Sequence, residues 1–120
     1  MKKISFSLAK TPLGDLIVGL AFGKFSRTLP IKRIKETDKA VVFWHPKPCY
    51  EKHILIVPKR AIKSLAKAKE NDMPYIDEIM KVTKEVVNEI GLADYSLITN
   101  GGKKQKIGQL HFHLISGKER

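Results

Sequence analysis

From Asp72 to Gly91 the chain carries one uninterrupted helical period, and no other stretch constrains the fold as much. Ile76, Ile79, Met80, Val86, Val87 and Ile90 fall on one face, with Thr83 the one polar residue on it. Asp72 can cap the start, Pro74 suits the first turn and Gly91 can end the helix. An apolar stripe of this length must be covered, and a chain of 120 residues builds one core of ordinary size. The stripe therefore reads as core.

The partners of that helix are strands. Residues 40–44 are a run of β-formers, His45-Pro46-Lys47-Pro48 breaks it, and residues 53–57 form the next strand before Pro58. Residues 31–36 alternate weakly ahead of the polar turn at 36–39. Two further strands are read at 95–99 and 109–115, joined by a loop, 100–108, with three glycines and three lysines. A helix over 12–22 has Thr11 as cap, Pro12 at its first position, Leu13, Leu16, Ile17 and Leu20 on one face and Gly23 as its stop. A short helix is also expected over 61–68, carrying Ile62 and Leu65.

Charge narrows the partners. Lys plus Arg number 23 against 12 Asp plus Glu, leaving +11, a field that attracts phosphates whether of a nucleotide, a nucleic acid or a lipid head group. The same excess arises from a plain lysine-rich surface. Cys49 is the single cysteine, so no internal disulfide forms, and no Cys/His pair has zinc-finger spacing. Residues 4–9 are too short and polar for a signal segment, and no apolar run approaches a membrane span of ~20 residues. A cytoplasmic protein without membrane contact is expected.

Chemistry concentrates in the last strand. There Leu110, Phe112 and Leu114 alternate with Gln109, His111 and His113, and the pleat puts both imidazoles on one surface. Two such rings can act on a phosphate together, one as nucleophile and the other as hydrogen-bond donor. A pair of half-buried sheet histidines has the same spacing, and a metal would lack further ligands within this strand.

Residues 105–117, Gln-Lys-Ile-Gly-Gln-Leu-His-Phe-His-Leu-Ile-Ser-Gly, resemble the signature of the histidine-triad (HIT) superfamily of nucleotide hydrolases and transferases. The likeness runs from Phe22 to Gly117: His53-Ile-Leu-Ile-Val-Pro-Lys-Arg60 is similar to the family's central strand and turn, and Asn100 with Gln105 to its phosphate-contacting loop. The resemblance implies an α+β fold, a five-stranded antiparallel sheet with two main helices, as one domain over 1–120 and as a homodimer. It also implies attack on the α-phosphate of a nucleoside phosphoramidate or dinucleoside polyphosphate, hence a phosphoramidase-like activity on a purine nucleotide or nucleotide conjugate. His111 would be the nucleophile that becomes nucleotidylated, and His113 the third histidine of the triad. Asn100 and Gln105 would contact phosphates.

Two departures matter. Gln109 occupies the first triad position and cannot change charge near neutral pH, so a proton-transfer role there is lost, while its backbone carbonyl can still orient His111. The alternative is therefore a catalytically weak nucleotide-binding module. Leu20 and Gly23 stand where zinc-binding members carry cysteines, so neither a metal nor another cofactor is expected. A role on nucleic acid, as in the aprataxin branch, fits the charge but is not favoured, because the chain ends at Arg120 without a zinc finger. His53 is read as a packing residue near the sheet, His45 is left unassigned, Trp44 is read as core and Cys49 as an incidental thiol.

Overall fold

The structure, a computed structural model, describes residues 12–22 and 31–120. Helix α1 (Pro12–Ala21) is followed by strands β1 (Arg33–Glu36), β2 (Ala40–Trp44) and β3 (Tyr50–Pro58), then helix α2 (Met73–Ile90), β4 (Ser96–Ile98) and β5 (Phe112–Glu119). All neighbours are antiparallel in the order β1-β2-β3-β5-β4. The fold is α+β, with the five-stranded sheet and two main helices that the resemblance implies. Thr11 and Gly23, the expected ends of the first helix, lie outside the described residues.

The sheet is covered on both faces. Ala40, Val42, Ile54, Ile56, Phe112 and Leu114 pack against Ile76, Ile79, Val82 and Val86 of α2, while Val41, Phe43, Leu55 and Val57 pack against Ile17 and Leu20 of α1. Double coverage explains why residues 40–43 and 54–57 are apolar without alternation: every side chain in both runs is fully buried. Trp44 is partly buried and packs against the α2 side.

α2 matches its expected bounds. Thr83 satisfies its hydroxyl by donating to the Ile79 carbonyl at 2.7 Å, which is how a polar residue sits within the buried stripe. Met80, expected on that stripe, lies at its flank and is exposed, and Val82 is buried instead. Gly91 closes the helix in the left-handed region, φ 81°, with its N–H on the Val87 carbonyl.

The short helix expected over 61–68 does not form. Only the turns Leu65–Lys67 and Glu70–Asp72 are helical, both 3-10. The Ile62 N–H donates to the Gln109 side chain and the Ile62 carbonyl accepts from the Leu110 N–H, so backbone groups that a helix needs are engaged elsewhere. The same bonds delay β5, which starts at Phe112 rather than at 109 and runs on to Glu119 opposite Tyr50. β3 likewise starts three residues before His53.

One glycine makes a direct prediction. Gly117 has φ 83°, and a β-carbon there would come within 2.7 Å of the Glu51 Cβ. Gly117→Ala is expected to destabilise the protein by about 1–3 kcal/mol, read as a lower melting temperature, and an unchanged value would refute this strain. Among the described residues, no helix is long and apolar enough to cross a membrane.

Candidate active site

The site grows out of the start of β5. Leu110, Phe112 and Leu114 turn toward α2, and the pleat sends His111 and His113 the other way. Their rings lie 5.2 Å apart, centroid to centroid. His113 pairs with Leu55 on β3 and with Ile98 on β4, which brings it diagonally beside His53. His53 Nε2 and His113 Nδ1 are 2.9 Å apart, and the His45 ring stands 4.2 Å from that of His53. All four histidines of the chain thus gather in one cluster.

Backbone groups fix the proton positions. His111 Nδ1 is 2.7 Å from the Gln109 carbonyl, which can only accept, so Nδ1 carries the hydrogen and Nε2 keeps a bare lone pair. The Cys49 N–H donates to His53 Nδ1 at 3.0 Å, so the His53 hydrogen sits on Nε2 and is donated to His113 Nδ1. His113 then carries its own hydrogen on Nε2. The Lys47 N–H donates to His45 Nδ1 at 2.9 Å and sets the same tautomer there. Together the cluster offers one bare nitrogen, on His111, and ring N–H groups on His113, at the end of a chain, and on His45.

Burial keeps these rings neutral. His113 is pushed down to about 3 by burial, reinforced by His111, His53 and His45, and His45 to about 4 by burial together with His53 and His111. Burial also lowers His53, and it lowers His111 against the opposing pull of the Gln109 carbonyl. Four imidazoles this close cannot all charge.

Gln109 is buried, and its side chain faces backbone. Oε1 accepts from the Ile62 N–H at 3.1 Å, and Nε2 donates to the carbonyls of Arg60 and Leu110 at 3.0 and 3.3 Å. What meets His111 is the Gln109 main-chain carbonyl. Thr99, which sequence reasoning passed over, donates its hydroxyl to the His111 carbonyl at 2.9 Å, and the neighbouring Asn100 is half-buried. Gln105 commits its amide hydrogens to the carbonyls of Lys63 and Ile107, at 2.6 and 2.9 Å, and so ties the loop to the segment after β3. Lys103, Lys104 and Lys106 are exposed.

Sequence reasoning also left His45 and His53 out of the site. One signal was present: His53 lies two residues before Leu55 and therefore on the same face. That β5 lies beside β3 follows from strand order, which local patterns do not encode.

His45, His53 and His113 place ring nitrogens within 4.8 Å of one another, a spacing suited to a metal ion. Their hydrogen bonds oppose one. A ligating imidazole donates its other ring N–H outward to an acceptor, whereas His45 and His53 each face a backbone N–H there. The donor set as folded suits proton positioning better than metal binding.

A cleft of about 610 Å³ opens beside the cluster, lined by Leu16, Ile31, Lys32, Trp44, His45, Pro46 and Pro48. It meets the histidines through His45, whose ring lies 6.2 Å from that of His113. The cleft is mainly apolar, with Lys32 as its one lysine beside the neutral His45 ring.

The sequence model of one family, described as the HIT domain, matches residues 26–120. The chain belongs to the HIT family. A relative from Zea mays named a 14 kDa zinc-binding protein is 31% identical to this HIT protein over 98 residues, covering 78% of this chain and 77% of its own. Among solved structures, a HIT family hydrolase from Clostridium thermocellum superposes with TM-score 0.74 at 29% identity, covering 85% of this chain and 90% of that one. A histidine triad nucleotide-binding protein from Candida albicans superposes with TM-score 0.67 at 25% identity, covering 89% and 74%.

Proposed function

We propose that this HIT protein is a nucleotidyl hydrolase or transferase that acts on the α-phosphate of a nucleoside phosphoramidate or dinucleoside polyphosphate. The observation that carries this reading is the 2.7 Å contact from His111 Nδ1 to the Gln109 carbonyl, which holds a neutral imidazole with its Nε2 lone pair free. In the proposed reaction Nε2 bonds to the α-phosphorus as the bond to the leaving group breaks, the leaving group taking up a proton from solvent. Water then attacks the phosphorus and releases a proton to solvent, the P–N bond breaks and its electron pair returns to Nε2. His113, oriented by His53 and Cys49, offers its Nε2–H to a phosphoryl oxygen, where it stabilises developing charge.

The hydrolase and nucleotide-binding names of the relatives from Clostridium thermocellum and Candida albicans support the reaction class. The cleft beside His45 is assigned to the base and sugar, purine being the expected base, and Asn100 to the phosphates. Gln105 acts through the loop it anchors. The Gln109 side chain is committed to backbone and supplies no proton, so a catalytically weak nucleotide-binding module stays the alternative reading. A cytoplasmic homodimer is expected, with the edge strand β4, its exposed Ile98 and the preceding Tyr95 available for pairing.

Mixing the protein with adenosine 5′-phosphoramidate and quenching should yield an acid-labile adenylyl adduct, mapped by mass spectrometry to His111. A folded protein that binds AMP yet forms no adduct would leave the binding module as the better reading.

A further inference from the structure

The observations that reach furthest surround Gln109, the one triad position without a histidine. Residues 109–111 stand outside the sheet ladder and are held instead by side-chain and turn bonds. Gln109 Oε1 accepts from Ile62, its Nε2 donates to Arg60 and Leu110, the Leu110 N–H donates to the Ile62 carbonyl at 2.7 Å, and Thr99 holds the His111 carbonyl. Every partner of the Gln109 side chain is a main-chain group. The orientation of the Gln109 carbonyl, and through it of the His111 ring, therefore depends on how residues 60–62 are gripped.

We propose that Gln109 is a positioning residue, a clamp of fixed charge that keeps residues 60–62 joined to the nucleophile's carbonyl contact at acid pH, where an imidazole in its place would let go. The reason is donor arithmetic. A primary amide presents one acceptor to Ile62 and two hydrogens to Arg60 and Leu110, whatever the pH. A neutral imidazole has one acceptor and one hydrogen, so it can hold Ile62 and Arg60 but not Leu110. On protonation its acceptor becomes a second N–H pointing at the Ile62 N–H, and that contact turns repulsive. The ionisable groups around the clamp do not substitute for it. Arg60 is engaged with Asp72 at 2.6 Å, Lys63 is exposed, and His111 and His113 lie on the β5 side. The inference rests on the His111 reading above only for its effect on rate.

The test compares the native protein with Gln109→His, Gln109→Leu and Gln109→Glu by three measurements: Ile62 amide exchange, the His111 ring tautomer by nitrogen NMR, and the adduct rate, each between pH 8 and 5. In the native protein Ile62 protection should hold across this range, and the His111 ring, wherever it is neutral, should keep its Nδ1–H tautomer. In Gln109→His, Ile62 protection should fall at least tenfold on acidification, and the rate should drop with a steeper limb than native. Gln109→Leu should lose about tenfold or more in rate at every pH while AMP affinity stays within about threefold. Gln109→Glu supplies the opposite sign, because its ionised carboxylate repels the Arg60 and Leu110 carbonyls and gains a donor on protonation, so Ile62 protection should rise on acidification. It keeps the proposal testable if the histidine variant fails to fold. Superimposable pH responses of Ile62 in native, Gln109→Glu and any folded Gln109→His protein would overturn the clamp. An adduct-free protein that shows the expected Ile62 responses would overturn the functional reading and leave the clamp standing.

Discussion

Replacing His111 with asparagine is expected to lower nucleotidyl transfer by at least about 10⁴-fold, the scale on which removal of an attacking group is felt. The asparagine amide can still donate to the Gln109 carbonyl, so the melting temperature should stay close to native and AMP affinity within about threefold. That pattern separates loss of the nucleophile from loss of the site, and a variant retaining more than about a hundredth of the native rate would remove His111 from its role. The pH dependence of the native rate adds a second reading of the same ring. An imidazole with the ordinary value of about 6.5 would place the acid limb there, as the sequence suggests. Burial lowers His111, so the limb should lie below 6.5, and a midpoint at or above it would contradict the buried geometry.

Acidification should also unfold the protein early. The unfolded chain binds protons at its histidines near pH 6.5, whereas His45 and His113 in the folded protein resist until about 4 and about 3. These folded values are depressed, so the stability they contribute is fully present above pH 6.5 and is lost as pH falls toward them. Each pH unit removes up to about 1.4 kcal/mol per group. Allowing for solvent screening at the partly exposed His45, about 3 kcal/mol should disappear between pH 7.5 and 4.5. Urea unfolding across that window measures it, above the range in which the Asp72 pair with Arg60 would begin to break. A flat profile would show that the cluster relaxes to accept charge, and His113→Gln should flatten the native curve in part.

How far each feature could be read in the sequence depended on how local its cause was. The 73–90 helix and the shared face of His111 and His113 follow from periods of 3.6 and 2 within one segment, and both are found as expected. Residues 61–68 misled because their backbone partners stand 47 positions away, at Gln109 and beyond, where no window on the local sequence reaches. His45 and His53 escaped for a related reason: their meeting with His113 needs β5 inserted between β3 and β4. The lowered pKa of His111 has no local signal, because burial is a property of the assembled cluster. Gln109 was legible as a departure, but the backbone it grips was not.

The alternation that begins at Leu110 also determines which kinds of genetic change this protein can absorb. Substitutions in that stretch are felt one side chain at a time, but losing or gaining a single codon between Leu110 and Leu114 would shift the pleat by one step, turning imidazoles into the layer against α2 and leucines onto the face that holds the histidine cluster. Length variation should therefore be confined to hinges that do not pass the shift on, such as the 101–108 loop and the proline turn at 46–48, while the run from 110 to 114 keeps its length even as its residues change. A deletion scan scored by growth or binding would show this as a sharp notch of intolerance flanked by permissive loops.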